Sequence, residues 1–130
     1  MTFSWRDLYT FSYNLYQDPN NPGPSEAALR ASISRAYYSA FHLSCKFATD
    51  RGYKIRKNHT NHMKVLQFLH DAQDIPANLV SIDLERLHEF RLKADYSETI
   101  TEDIHVISYA AIKYADHIIK TIDANPYNRS

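Results

Sequence analysis

Between Pro24 and Gly52 the chain runs without a single proline or glycine. Within that stretch Ile33, Tyr37, Ala40, Phe41, Ser44 and Ala48 recur at steps of three and four. That spacing puts them on one face of a helix. Ser25 offers an N-terminal cap after Pro24, and Gly52 a C-terminal stop. This is the longest helical signal in the chain. A chain of 130 residues has the size of one ordinary domain and is too short for two well-packed ones. Only two glycines occur, against about nine expected from average usage. This argues against a turn-rich sandwich or barrel, a collagen-like repeat and a Gly-rich nucleotide loop. With 44% hydrophobic and 13% aromatic residues, the chain has enough apolar material for a core and is not a disordered segment.

The other segments read as helices too. The first spans Ser4 to Tyr16, with Ser4 as cap and Asp7 in the first turn. Asp18-Pro19-Asn20-Asn21-Pro22-Gly23-Pro24 is a loop. The third helix is expected from His59 to Ala72, capped by Asn58, with Met63, Leu66, Phe68 and Leu69 as its apolar residues. Asp74-Ile75-Pro76 breaks it, and a fourth helix follows from Ala77 to Ala94. The fifth starts near Thr99, where Thr99-Ile100-Thr101-Glu102 fits a capping box. Its stripe is Ile104, Ile107, Ala111, Ala115, Ile118 and Ile122, and Pro126 lies beyond its end. The expected architecture is an all-α, up-and-down bundle of about five helices, one domain over residues 1–130 with its core at about 25–124.

Fifteen Lys and Arg balance fifteen Asp and Glu. The zero net charge removes the global positive field of a DNA-coating protein but leaves room for a local basic patch. The single cysteine, Cys45, allows no internal disulfide and fits a reducing compartment. It lies in an apolar-periodic segment and reads as packing. No run of 18 apolar residues suggests a membrane span, and the first residues lack the pattern of a signal peptide. The expected location is therefore the cytoplasm.

Some residues break the pattern. Val80, Leu84, Leu87 and Arg91 fall within about 40° of one another around the fourth helix. Asp95 follows one turn later. A guanidinium on an apolar stripe must be paired or line a cleft. Arg91–Asp95 reads either as a structural ion pair or as an arginine oriented by Asp95 to hold a phosphate. On the long helix Arg35, Tyr38 and His42 share a face at i, i+3 and i+7, which Ala28 and Ala31 extend. This face suits close approach of another helix, in this chain or in a partner, or it lines the same cleft as Arg91. Lys54, Arg56 and Lys57 form a short basic loop beside Tyr53, either solvated surface or a contact for a phosphate backbone. His59 and His62 lack the convergent partners of a metal site, and His88, His105 and His117 read as surface or seam residues. No metal or other cofactor is expected. No dinucleotide fingerprint, P-loop or serine-hydrolase elbow is present.

Two segments carry a family resemblance. Arg30-Ala31-Ser32-Ile33-Ser34-Arg35-Ala36-Tyr37-Tyr38-Ser39-Ala40-Phe41-His42 resembles the signature helix of the small stand-alone bacterial branch of the HEPN superfamily. Phe90-Arg91-Leu92-Lys93-Ala94-Asp95-Tyr96 resembles its second signature, an arginine followed by Ala-Asp-Tyr. The resemblance covers roughly residues 25–122. It implies a helical bundle that often pairs with a second copy. Many HEPN proteins are metal-independent endoribonucleases of toxin–antitoxin and phage-defence systems, whereas others bind nucleotides or act as non-catalytic partners. Nuclease members carry a histidine separated from the arginine by four to six intervening residues; here Tyr96 follows Arg91 after four intervening residues.

The resemblance therefore implies a protein that binds or cleaves RNA in a toxin–antitoxin, stress or defence setting. Its site would comprise Arg91, Asp95, Tyr96 and His42, supported by Arg35 and Tyr38. The arginine would face the developing phosphorane charge, Tyr96 would donate a proton or hydrogen bond, and His42 would be the near-neutral base. Expected partners are a second copy, RNA or a nucleotide, and a nucleotidyltransferase-type antitoxin or another defence protein, with Tyr96 a possible acceptor of a nucleotidyl group. The alternative is a non-catalytic dimerisation, partner-interaction or nucleotide-binding module in which the same residues are structural.

Overall fold

The computed structural model describes residues 2–20, 25–54 and 62–127. Five helices are present among the described residues: α1 (Trp5–Gln17), α2 (Ser25–Asp50), α3 (His62–Asp71), α4 (Ile75–Tyr96) and α5 (Ile104–Ala124). No strand occurs among the described residues. The chain is an all-α bundle of five helices packed together.

The termini of α2 explain its length. It runs 26 residues and stops where Gly52 takes φ +106°. Tyr53 N–H then donates to the Ala48 carbonyl at 3.0 Å and Gly52 N–H to the Thr49 carbonyl at 3.1 Å. This is a Schellman closure, which satisfies carbonyls the helix leaves open. Nothing lies within 4 Å of a Cβ placed on Gly52, so the backbone conformation alone demands glycine there.

Two boundaries differ from the sequence expectation, both through an aspartate. Asp74-Ile75-Pro76 starts α4 as well as ending α3. The Asp74 carboxylate accepts from Ala77 N–H at 3.4 Å, and Pro76 sits in the first turn, where its missing N–H costs nothing. At α5 the Thr99–Glu102 capping box does not form. Asp103 caps instead, accepting from His105 N–H at 2.9 Å, while Glu102 pairs with Lys93. At α1 Ser4 occupies the cap position without a side-chain bond. The start of α3 expected at Asn58 and His59 lies outside the described residues.

α2 is the axis of the molecule, since it alone packs against each of the other four helices. Ile33, Tyr37, Ala40, Phe41, Ser44 and Ala48 are all buried, as the stripe predicted. Val80, Leu84 and Leu87 of α4 meet Ile107, Ala111, Ala115 and Ile118 of α5 in the same core. Small residues bring α1 and α2 close. Ser12 Oγ donates to the Ser32 carbonyl at 2.6 Å, and Ser32 Oγ returns a bond to the Ser12 carbonyl at 2.9 Å. Ala28 is buried in this chain, so the small-residue face serves packing within the molecule. Arg30 closes the other end of α4 by donating to the carbonyls of Ala94, Ser97 and Glu98. Cys45 is buried, and burial pushes its thiol up to about 12, as a packing residue requires. None of the described helices is long and apolar enough to cross a membrane.

Candidate functional site

The apolar stripe of α4 ends at Arg91, one turn before the helix terminus that Arg30 holds. This brings the Arg91 side chain against the middle of α2, and only 16% of it remains exposed. Its Nε donates to Asp95 Oδ2 at 2.9 Å, the i, i+4 pair expected from the sequence. Its Nη2 donates to the Tyr38 hydroxyl at 2.7 Å and, more weakly, to the Tyr96 hydroxyl at 3.4 Å. Ser34 Oγ donates to the same Asp95 oxygen at 3.3 Å, tying the carboxylate to α2. The guanidinium carbon lies 5.4, 5.2 and 5.4 Å from the ring centres of Tyr37, Tyr38 and Tyr96. Burial opposes the charge, but Tyr38, Tyr96 and Asp95 outweigh it, so the Arg91 pKa stands above its ordinary value. Nη1 makes no hydrogen bond to the described residues and is the free edge of the group. Tyr96 is 70% exposed. The arginine is thus sunk and fixed, with an open tyrosine at its rim.

A second group of side chains meets Arg91 across Tyr37. The Tyr37 hydroxyl lies 2.6 Å from His62 Nδ1. His62 stacks on His88 with ring centres 3.7 Å apart and planes 20° from parallel. Tyr37 touches both imidazoles, at 5.6 and 5.5 Å. Burial raises the Tyr37 phenol well above its ordinary range, and the positive Arg91 only partly offsets this. His62 is pulled down to about 4 by burial, by His88 and by Arg91. The protonated Tyr37 phenol and His62 Nδ1 share this hydrogen bond, and His62 Nε2 is a buried atom with no partner among the described residues. His88 is lowered too, first by burial and then by Arg91, against the opposing pull of Glu89. Its ring nitrogens make no hydrogen bond to the described residues, and neither is a buried unpartnered atom.

Of the residues expected from the sequence, Arg91, Asp95, Tyr96 and Tyr38 come together. His42 is half-buried beside them, its ring 6.5 Å from that of Tyr38. Its closest neighbour is Trp5 of α1, stacked at 3.6 Å and 11°, and burial lowers its pKa. Arg35 is exposed and makes no hydrogen bond or ion pair with the described residues, so it does not join the cluster. Lys54 is exposed, while Arg56 and Lys57 lie outside the described residues.

Tyr37, His62, His88 and Ser34 were not expected at the site. His88 was within reach of sequence reasoning, since it precedes Arg91 by three positions and so lies on the same side of α4. His62 gave no such signal, because its position depends on how α3 docks. No group of three or more His, Cys, Asp or Glu that could hold a metal occurs among the described residues. Compared with known proteins, the chain matches no family model, no curated protein and no solved structure.

Proposed function

We propose that this bundle binds RNA at the Arg91 cluster and cleaves it without a metal, as a HEPN-type protein of a toxin–antitoxin, stress or phage-defence system. The observation that carries this reading is the fixing of the Arg91 guanidinium through Nε and Nη2, with the exposed Tyr96 hydroxyl 3.4 Å from Nη2 and Nη1 unbonded to the described residues. A pre-oriented cation of this kind suits the charge that builds on a phosphorane, because little reorganisation is needed during the reaction. Tyr96 supplies a hydroxyl at the rim, where the nuclease members of the family carry histidine. Asp95, Tyr38 and Ser34 hold the arginine. The reading extends to a second copy of the chain and to a partner enzyme that modifies Tyr96. Since Ala28 is covered within the chain, self-association would use another surface; Ile75, Leu79 and Ile82 form an exposed apolar row on α4.

The alternative is a non-catalytic interaction or nucleotide-binding module. It is favoured by the bonds Arg91 already makes within the chain, which give it a structural role without any ligand. Incubation of the purified protein and of Arg91→Ala with total RNA separates the two. On the RNA reading, Arg91→Ala loses cleavage and binds RNA at least tenfold more weakly. Equal binding and no cleavage by either protein, together with a lower melting temperature for Arg91→Ala, gives the site to the alternative.

A further inference from the structure

If the site cleaves RNA, its base is the missing element, because the family position for histidine is taken by Tyr96. His42 stacks on Trp5 at 3.6 Å, and Arg91 is not among the groups that act on its charge. His62 has Nδ1 bonded to Tyr37 and Nε2 sealed from solvent. His88 lies three positions before Arg91, touches the same Tyr37 ring and feels the Arg91 charge, and its ring nitrogens are neither bonded to the described residues nor buried unpartnered. Its ring is fixed on one face by His62 of α3 and touched by Tyr37 of α2, so it is held in one orientation.

From this placement we infer that His88 is the general base of the Arg91 site, with His62 and Tyr37 as its positioning residues. The inference rests on the RNA-cleaving reading above. A ring nitrogen of His88 takes the 2′-hydroxyl proton, and the 2′-oxygen forms a bond to phosphorus. The bond from phosphorus to the 5′-oxygen breaks, and that oxygen takes a proton from the Tyr96 hydroxyl. The products are a 2′,3′-cyclic phosphate and a 5′-hydroxyl. The proton on His88 returns to Tyr96 through solvent, so no proton is gained or lost overall. Arg91 stabilises the phosphorane charge between them. The charged and titratable groups around His88 are His62 from α3, Tyr37 from α2, and Arg91 and Glu89 from α4. Burial and Arg91 keep the ring neutral at neutral pH, the form a base requires.

The test uses the full chain, an end-labelled mixed-sequence RNA, and the variants His88→Ala, Arg91→Ala and His105→Ala, the last an exposed histidine on α5. His88→Ala is expected to lower the cleavage rate by about 10²–10⁴ while RNA binding stays within about twofold. Added imidazole should restore part of the rate. The acid limb of the wild-type pH–rate profile should lie below the ordinary histidine value and vanish in the variant, while His105→Ala cleaves normally. Cleavage by His88→Ala at the wild-type rate, or a loss that imidazole does not restore, overturns the inference and leaves the RNA reading standing. A wild-type protein that binds RNA through Arg91 without cleaving it overturns the inference but not the binding. Binding and cleavage that ignore Arg91 overturn both.

Discussion

His62 shows how strongly this fold controls single side chains. Burial, His88 and Arg91 hold its pKa at about 4, against about 6.5 in an unfolded chain. Between those values the unfolded chain binds the proton that the folded chain refuses. Stability must therefore fall as the pH drops through this window and cease falling, for this group, below about 4. His42 and His88 act in the same direction. Urea unfolding at about pH 7 and about pH 5 should give a lower midpoint at the acidic value, and His62→Phe should shrink the difference. An unchanged difference in His62→Phe would mean that His62 is not the group responsible. At this scale the sequence was only partly legible. The Arg91–Asp95 pair is local, separated by one helical turn, and could be read directly. The contact between His62 and His88 joins α3 to α4 and has no local signature.

Helix existence was legible from periodicity and the scarcity of glycine and proline, as were the starts of α1 and α2, whereas the starts of α4 and α5 were not. The connections before α4 and α5 offer several polar side chains that could cap, and tertiary competition chooses among them. Glu102 is drawn to Lys93, which leaves Asp103 to cap α5. Asp74 combines two tasks at the start of α4. It caps Ala77 N–H, and its other oxygen takes Arg51 Nε at 2.8 Å. Arg51 also donates to the Asn125 carbonyl at 2.8 Å and lies 3.5 Å above the Phe47 ring, so one guanidinium joins α2, the start of α4 and the end of α5. The 3.4 Å cap bond is long, which places its contribution toward the low end of the usual range. Asp74→Ala should cost about 1–3 kcal/mol, combining a lost cap with a half-buried arginine left without its carboxylate. Asp74→Asn should recover the capping part only. A double-mutant cycle with Arg51→Ala measures the rest, and a coupling of zero would remove the ion pair from the account.

For the whole molecule, the all-helical architecture was the most legible property, because five amphipathic segments in one short chain have few other ways to bury their stripes. Assembly was less so. Of the face read as a surface for another helix, in this chain or in a partner, Ala28 is buried within the chain, Ala31 is half-buried and Arg35 is exposed. The proposed second copy predicts sedimentation at about twice 15.1 kDa at micromolar concentration, weakened by Leu79→Lys if the exposed row on α4 is used. A monomer at that concentration removes a two-chain site. The attachment of α1 has a consequence for how the molecule breathes. Ser12 is its one fully buried residue; Trp5 stacks on His42, Tyr9 and Tyr16 pack at the edge of the core, and polar ties run from Ser12 to Ser32, from Ser39 to the Trp5 carbonyl and from Arg6 to Asp123. Detaching it uncovers far less apolar surface than dismantling α2 against its four neighbours. Hydrogen exchange should therefore show α1 amides opening with a smaller denaturant dependence than those of α2, which should exchange only when the whole bundle comes apart.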